Sequence, residues 1–394
     1  MNTAASVTMI DPPATPGRRI SVMHLIHTVA YGGVETAIIN WLRKLDSARF
    51  ESHLVCFANP GGTEQPFIEV ARERGFRVDT IRWNRRKPIL SAALRLARLM
   101  RQYRVEVLHT HNTYADLVGL IAARMAPART ITTLYVWANF HWRRNLLQKV
   151  NRWLLPHFDL VSAHCEQTYR KTLDSGLNPE KLRLLICGYE ATRTNYTSEQ
   201  RRWRRREMGI KDGEIVLANI ARLYPEKAQD QLLRMFPAVL QKHPQARLWI
   251  AGIGPLGREL RSLCSRLGLD SSVRFLGFVQ DLPELLALVD IQVSTSVAEG
   301  VPLAICAGMA AGLPIVATDV GGLAEVLDHG RAGRLVSSGQ ETAFLNALSG
   351  LIDDPTERVR LGRAARSFIE NDYSLEMAVR RLERTYMEVI GECA

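Results

Sequence analysis

STSVAEGVPLAICAGMAAGLPIVATDVGG, residues 294–322, decides how the rest of the chain is to be read. It starts at the end of an apolar run, Ile291-Gln292-Val293-Ser294, passes an acid-glycine turn at Glu299-Gly300, and enters a run of small residues through Pro302. It leaves by Gly312 into a second apolar run at 313–317 and then a Gly-Gly turn. Proline suits the first turn of a helix and glycine the position just past its end, so the stretch predicts strand, helix, strand. The free N–H groups at the start of such a helix form an anion site, here with Glu299 beside it.

The same alternation runs outward in both directions. In the first half, apolar runs at 22–26, 53–57, 78–81, 105–110, 130–134 and 160–163 read as buried strands. Helical patterns at 35–45, 66–74 and 89–103 lie between them. The second half restarts the rhythm at 215–220, 247–251, 273–275, 291–294, 314–317 and 333–336. Strands alternating with helices of this length predict parallel sheets with right-handed crossovers. Periodicity stops among polar residues at 188–198. The fold class is therefore α/β: two doubly wound, Rossmann-like domains, 21–190 and 191–372, facing a central cleft. A tail at 1–20 reads as disordered, and a long amphipathic helix closes the chain at 373–394.

Composition agrees with this and excludes several classes. The 394 residues, 46% hydrophobic and 23% charged, suffice for two domains that each bury a core. No apolar run approaches the ~18–20 residues of a membrane-spanning helix, and the first 20 residues lack the apolar core of a signal peptide. The 6 cysteines are scattered, without a CxxC, and read as reduced thiols of a cytoplasmic protein, with neither a disulfide framework nor a metal site. The net charge of +11 sits wholly in residues 1–190, since 191–394 balance. Such asymmetry points to an anionic partner of the first half, nucleic acid or a membrane surface, with plain solvation as the alternative.

Two glycine turns follow strands: Gly32-Gly33, and Gly252-x-Gly254 after Leu248-Trp249-Ile250. Glycine lets backbone N–H groups approach a phosphate closely, although either pair could equally be a tight strand-helix turn. Neither is a dinucleotide fingerprint, and there is no P-loop. Arg222 and Lys227 lie in ARLYPEKAQD just after the run at 215–220. A planar fork and a point charge suit a diphosphate, the alternative being a surface pair with Glu226. His109 and His111 end a strand at the expected cleft.

NIARLYPEKAQD (219–230), the turn at 252–255, RFLGFVQD (274–281), the opening stretch and GGLAEVLDHGRAGRLV (321–336) occur in one order and spacing. With YGGVETAIINWLRKL (31–45) and VEVLHTHN (105–112), they resemble family 4 of the retaining glycosyltransferases over nearly the whole chain from residue 21. The resemblance implies the GT-B fold, with an acceptor-binding N-terminal domain, a nucleotide-sugar-binding C-terminal domain and a last helix crossing back to the first domain. Carried over by position, Arg222 and Lys227 hold the donor diphosphate and Glu299 contacts the donor sugar. The backbone of Gly300, Val301, Pro302 and Leu303 caps the phosphates, with Gly252 and Gly254 in the same cradle. Gly32 and Gly33 close over the diphosphate from the other side, and Phe278 and Val279 lie near the base. His111 becomes the candidate acceptor-side contact or base and His109 a structural histidine. Fixed cations and helix N–H groups stabilise the charge that grows on a leaving diphosphate, so no metal is expected.

Three positions depart from the family pattern. Ala307 stands where a second glutamate usually meets the ribose, a loss worth ~1.5–3 kcal/mol of donor grip. Tyr135 replaces a histidine that touches the donor sugar, and Cys187-Gly188-Tyr189-Glu190 replaces Asn-Gly-(Val/Ile)-Asp. The resulting expectation is a retaining, metal-independent hexosyltransferase using a UDP- or GDP-sugar as co-substrate, with no other cofactor. Its expected acceptor is a lipid-linked saccharide of surface-polysaccharide biosynthesis. Basic and aromatic residues at 84–87 and 137–153 suggest peripheral contact with the inner face of the cytoplasmic membrane, and no nucleic-acid-binding module is recognisable. The rival readings are a catalytically weakened GT-B relative that binds a glycan or partner protein, and a sugar-nucleotide epimerase on the same fold.

Overall fold

The computed structural model describes residues 18–28, 32–82, 88–135, 149–192 and 194–392. Most of the expected tail, Tyr31, the basic run at 84–87 and most of the tryptophan-rich run lie outside the described residues. Short runs rich in Val, Ile and Leu, such as ISVMHLI at Ile20–Ile26, are buried at every position, as expected of strands covered on both faces. Seven of them form one parallel sheet: β1 (Ile20–Ile26), β2 (Phe50–Ala58), β3 (Val78–Arg82), β4 (Val107–His111), β5 (Arg129–Leu134), β6 (Leu160–Ala163) and β7 (Leu182–Leu184). Their spatial order is β3-β2-β1-β4-β5-β6-β7. The second sheet is also parallel: β8 (Ile215–Ile220), β9 (Ala246–Ala251), β10 (Val273–Gly277), β11 (Ile291–Ser294), β12 (Ile315–Asp319) and β13 (Arg334–Ser337), ordered β10-β9-β8-β11-β12-β13.

In each sheet the winding direction reverses once, between β1 and β4 and between β8 and β11. Crevices open beyond the carboxyl ends of strands at such reversals. The loops that border the two crevices carry Gly32, Asn112, Arg222, Lys227 and Glu299.

The helix Leu375–Ile390 completes the core of the first sheet. Ser374 caps its start, accepting from Met377 N at 3.3 Å, and Gly391 ends it with φ +79°. Leu375, Val379, Leu382, Tyr386 and Val389 recur at helical spacing and pack with Trp41, Val107, Ile131 and Leu160. To reach that position the chain crosses between the sheets twice, and the crossings are tied together. Tyr189 N donates to Tyr373 O at 3.0 Å and Leu375 N to Tyr189 O at 3.1 Å. Gly188, at φ +65°, lets them touch, since a Cβ there would lie 2.5 Å from that of Ala378. The Cys187–Glu190 segment is anchored too: Trp41 Nε1 donates to Cys187 O at 2.7 Å, and Glu190 pairs with Arg43 and Lys44.

Candidate active site

On the second sheet, three loops are stitched into one platform. Leu223 N donates to Ile253 O at 3.0 Å, Val297 N to Glu226 O at 2.9 Å, and Thr295 Oγ1 to Ala228 O at 3.0 Å. Lys227 Nζ lies 2.6 Å from Glu299 Oε2, and Ser296 Oγ donates to Glu299 Oε1 at 2.6 Å. Both side chains of the ion pair are largely buried, 14% and 7% exposed. Arg222 is different. Its guanidinium stacks 4.9 Å from the Tyr224 ring centre, 48% exposed, and approaches Glu226 only to 3.8 Å. It is thus a positioned cation with unused donors.

The glycines of this platform are required by the protein itself. A Cβ on Gly252, whose φ is +136°, would lie 1.9 Å from Ala221 O, and one on Gly254 would lie 2.4 Å from Leu223 O. Gly321, at φ +62°, lets residue 321 lie against Glu299, where a Cβ would meet Glu299 O at 1.9 Å. Gly252 and Gly254 therefore bring the Arg222 loop into place, and Gly321 does the same for Glu299. The helix Leu303–Ala310 follows Pro302, and no side chain caps it, so its first N–H groups stay open toward the loop.

Across the crevice, the helix Gly33–Lys44 starts from Gly32, again without a side-chain cap. Here the described residues leave room. Among them, a Cβ at Gly33 would approach Leu303 at 3.9 Å, and one at Gly32 the Glu35 carboxylate at 3.6 Å. Two uncapped helix starts, one from each domain, thus face each other. Glu35, in the first turn, is buried, and burial raises its carboxyl above the usual range, against the hydrogen bond from Thr28 Oγ1 at 2.6 Å and the charge of Arg222. Asn112, at the end of β4, has φ +81° and ψ +161°, a region that non-glycine residues rarely occupy. Its side chain donates to His27 O at 2.7 Å, bridging the first sheet's crevice.

His111 departs from expectation. Its ring is fully buried, and its nitrogens are engaged by His24 at 3.0 Å and Tyr135 at 2.9 Å, so it touches no acceptor directly. Tyr135, half-buried beyond the end of β5, packs against the core closed by the helix Leu375–Ile390, as do Val301 and Leu303 of the second domain. Phe278 is 73% exposed and Ile253 60%, two uncovered apolar side chains at the ends of neighbouring strands; Val279 is half-buried beside them. Ala307 is 2% exposed, inside the core under the Leu303–Ala310 helix. Glu35, Ser296 and Asn112 were missed in the sequence. For Glu35 a signal existed, an acid in the first turn after a Gly-Gly pair, whereas the backbone of Asn112 has none. Among the described residues, one group of three side chains comes close enough to share a metal ion, His24, His109 and His111. It lies inside the first domain, and all six of its ring nitrogens are already hydrogen-bonded.

Residues 31–193 match the Glycosyltransferase Family 4 model, and residues 214–354 match the model of Glycosyl transferases group 1. The chain belongs to glycosyltransferase family 4. It is 22% identical to the Escherichia coli UDP-Gal:alpha-D-GlcNAc-diphosphoundecaprenol alpha-1,3-galactosyltransferase, covering 94% of this chain and 98% of the relative. It is 25% identical to a Corynebacterium glutamicum GDP-mannose-dependent monoacylated alpha-(1-6)-phosphatidylinositol monomannoside mannosyltransferase, over 89% and 93%. The crystal structure of Anabaena Alr3699/HepE in complex with UDP superposes with a TM-score of 0.82 at 21% identity, covering 94% of this chain and 100% of that one. The fold is GT-B, as the resemblance implied, and the protein is a glycosyltransferase.

Proposed function

We propose that the protein transfers a sugar, with retention, from a UDP- or GDP-sugar to a hydroxyl of a lipid-linked saccharide in surface-polysaccharide assembly. The observation that carries this reading is the meeting of two uncapped helix starts, at Gly33 and Leu303, with room beside Gly32 and Gly33 among the described residues. Arg222 and Lys227 add two cations to the same crevice. A diphosphate placed there meets positive charge on both sides. As the bond from the sugar's anomeric carbon to the phosphate oxygen breaks, the leaving diphosphate gains negative charge, and these groups stabilise it without a metal. The acceptor oxygen bonds to the same face of the anomeric carbon and its proton passes to the departing phosphate. Glu299, oriented by Lys227 and Ser296, holds donor-sugar hydroxyls. Phe278 and Ile253 offer apolar surface for the base.

The lipid-linked acceptor is supported by the relatives, whose names specify a diphosphoundecaprenol and a phosphatidylinositol glycolipid. Among the described residues no helix is long and apolar enough to cross a membrane. Contact with a bilayer at its cytoplasmic face would then be peripheral, and Leu90 and Leu94, exposed on the helix Ile89–Gln102 beside Arg95 and Arg98, offer one surface for it.

The test is a thermal-shift and turnover panel of UDP-, GDP- and ADP-sugars. Stabilisation by at least one, with transfer to a short lipid-linked saccharide, is expected. No shift at millimolar nucleotide would refute the reading. The second reading, a weakened relative that binds glycans, is favoured by one observation, the buried Ala307 in place of an acid. Binding of saccharide with no nucleotide binding would select it.

A further inference from the structure

Three histidines share one face of the first sheet. His24 on β1 is in register with His109 on β4, and His111 lies two residues on, so all three point the same way. Thr133 pairs in register with His111 and with Ser162, which keeps them on that face as well. The helix Leu375–Ile390 covers it and inserts Tyr386 between two of the rings.

The side chains form one unbroken series. Tyr135 Oη lies 2.9 Å from His111 Nδ1, and His111 Nε2 lies 3.0 Å from His24 Nδ1. His24 Nε2 lies 2.8 Å from Tyr386 Oη, which is 2.9 Å from His109 Nδ1. His109 Nε2 lies 2.7 Å from Thr133 Oγ1, itself 2.7 Å from Ser162 Oγ. One direction satisfies every contact: with the Ser162 Oγ proton on the Thr132 carbonyl at 3.2 Å, Ser162 accepts from Thr133 at 2.7 Å. Thr133 then accepts from His109 Nε2–H, and His109 Nδ1 accepts from Tyr386. Tyr386 accepts from His24 Nε2–H, whose Nδ1 accepts from His111 Nε2–H. His111 Nδ1 is left to accept from Tyr135. In that direction all three rings are neutral Nε2–H tautomers.

Burial agrees with neutrality. It lowers His24 to about 3 and holds His109 and His111 well below the ordinary histidine range, the latter two helped by repulsion between the rings. Burial, and after it Cys187, Glu35, Tyr386 and Asp116, raise the Tyr135 hydroxyl well above its ordinary range; Asp116 acts from the opposite face of the sheet, where it accepts from Thr110 and Thr132.

We propose that this chain of fixed polarity presents the Tyr135 oxygen to the cleft as a hydrogen-bond acceptor, which selects a sugar hydroxyl there and disfavours a phosphate oxygen. His24, His109 and Tyr386 are positioning residues; they touch no substrate and act through Tyr135. The inference rests on the cleft being the transfer site.

The test uses the full chain with 15N-labelled histidine, its long-range 1H–15N correlations assigned by single substitutions. At neutral pH all three rings are expected as Nε2–H, and Ser162→Ala, which removes the anchor but little volume, is expected to admit the Nδ1–H form. Nδ1–H rings in the parent, a charged ring, or stoichiometric Zn2+ uptake that converts the three signals to metal-ligated ones would overturn the proposal. With UDP-glucose as probe, Tyr386→Phe is expected to lower kcat about tenfold with KM nearly unchanged. Equal kcat in both proteins overturns the positioning role even where the tautomers are as expected. If UDP-glucose and GDP-mannose neither bind nor turn over in the parent, the transfer reading fails instead, and the polarity is judged on the tautomers.

Discussion

The glycines of the cleft fall into two physical classes, and alanine substitution separates them. At Gly252 the added methyl would sit 1.9 Å from Ala221 O, about 1.5 Å inside the 3.4 Å at which ordinary contact begins. Relief requires the ends of β8 and β9 to part, which strains the bonds from Ala221 N to Ala251 O (3.0 Å) and from Gly252 N to Gly277 O (2.7 Å). Two weakened backbone hydrogen bonds cost about 2 kcal/mol, and alanine at φ +136° adds roughly 1–3 kcal/mol. Gly252→Ala should therefore lower Tm by roughly 6–20 °C. Among the described residues Gly33→Ala approaches Leu303, at 3.9 Å, and it replaces glycine in the first turn of a helix, so stability should hold or rise by up to about 1 kcal/mol. Its loss should appear in binding, since a methyl displaces the close approach of a diphosphate, and about tenfold weaker binding corresponds to 1.4 kcal/mol. Thermal melts and calorimetric titration with UDP and GDP measure both. An unchanged Tm for Gly252→Ala, or full nucleotide affinity in Gly33→Ala, would refute the distinction.

Glu299→Ala is expected to abolish sugar transfer while nucleotide affinity stays within a few-fold, because Lys227 is freed rather than removed; equal transfer by variant and parent contradicts the role given to Glu299. Asp116 accepts from Thr110, Thr132 and Asn151, and burial raises it from 3.8 to about 6. A raised carboxyl is most compatible with folding while protonated, so stability should fall as pH rises from about 4 to about 6 and then level. The fall is about 3 kcal/mol at most, and Asp116→Asn should flatten it in urea melts across that window. Ala307→Glu places a carboxylate in a site 2% exposed, so it should lower Tm, with part of the loss recovered on adding nucleotide; no loss at all contradicts the burial. Co-sedimentation with anionic vesicles should weaken when Leu90 and Leu94 become Ser, and binding that ignores both lipid charge and these residues removes the proposed membrane face.

The fold was largely legible because parallel strands buried on both faces read as continuous apolar runs. Twelve such runs were expected and strands occupy all of them; β7, only Leu182–Leu184 at a sheet edge, carried too short a signal. In the second-domain loops the sequence singles out Arg222, Lys227 and Glu299, which lie in the segments after β8 and β11, and the structure places the last two in contact. What failed was long-range cover. His111 looked like a cleft residue because it ends a strand, but the helix that buries its face begins at Leu375. Nor could the sequence show which glycines serve packing and which leave space, because the contacting atoms at Gly321 and Gly252 belong to other loops.

The same covering helix has a consequence for how the protein is made. The first sheet ends at Leu184, yet Leu382, Tyr386 and Val389 belong to its interior. During synthesis the whole second domain emerges before that helix does, and it can close around its own core meanwhile. The first domain must wait with Trp41, Val107 and Ile131 uncovered on one side, a period in which a chaperone or a neighbouring chain could occupy the groove. Order of translation and order of completion are inverted: the half made first is finished last.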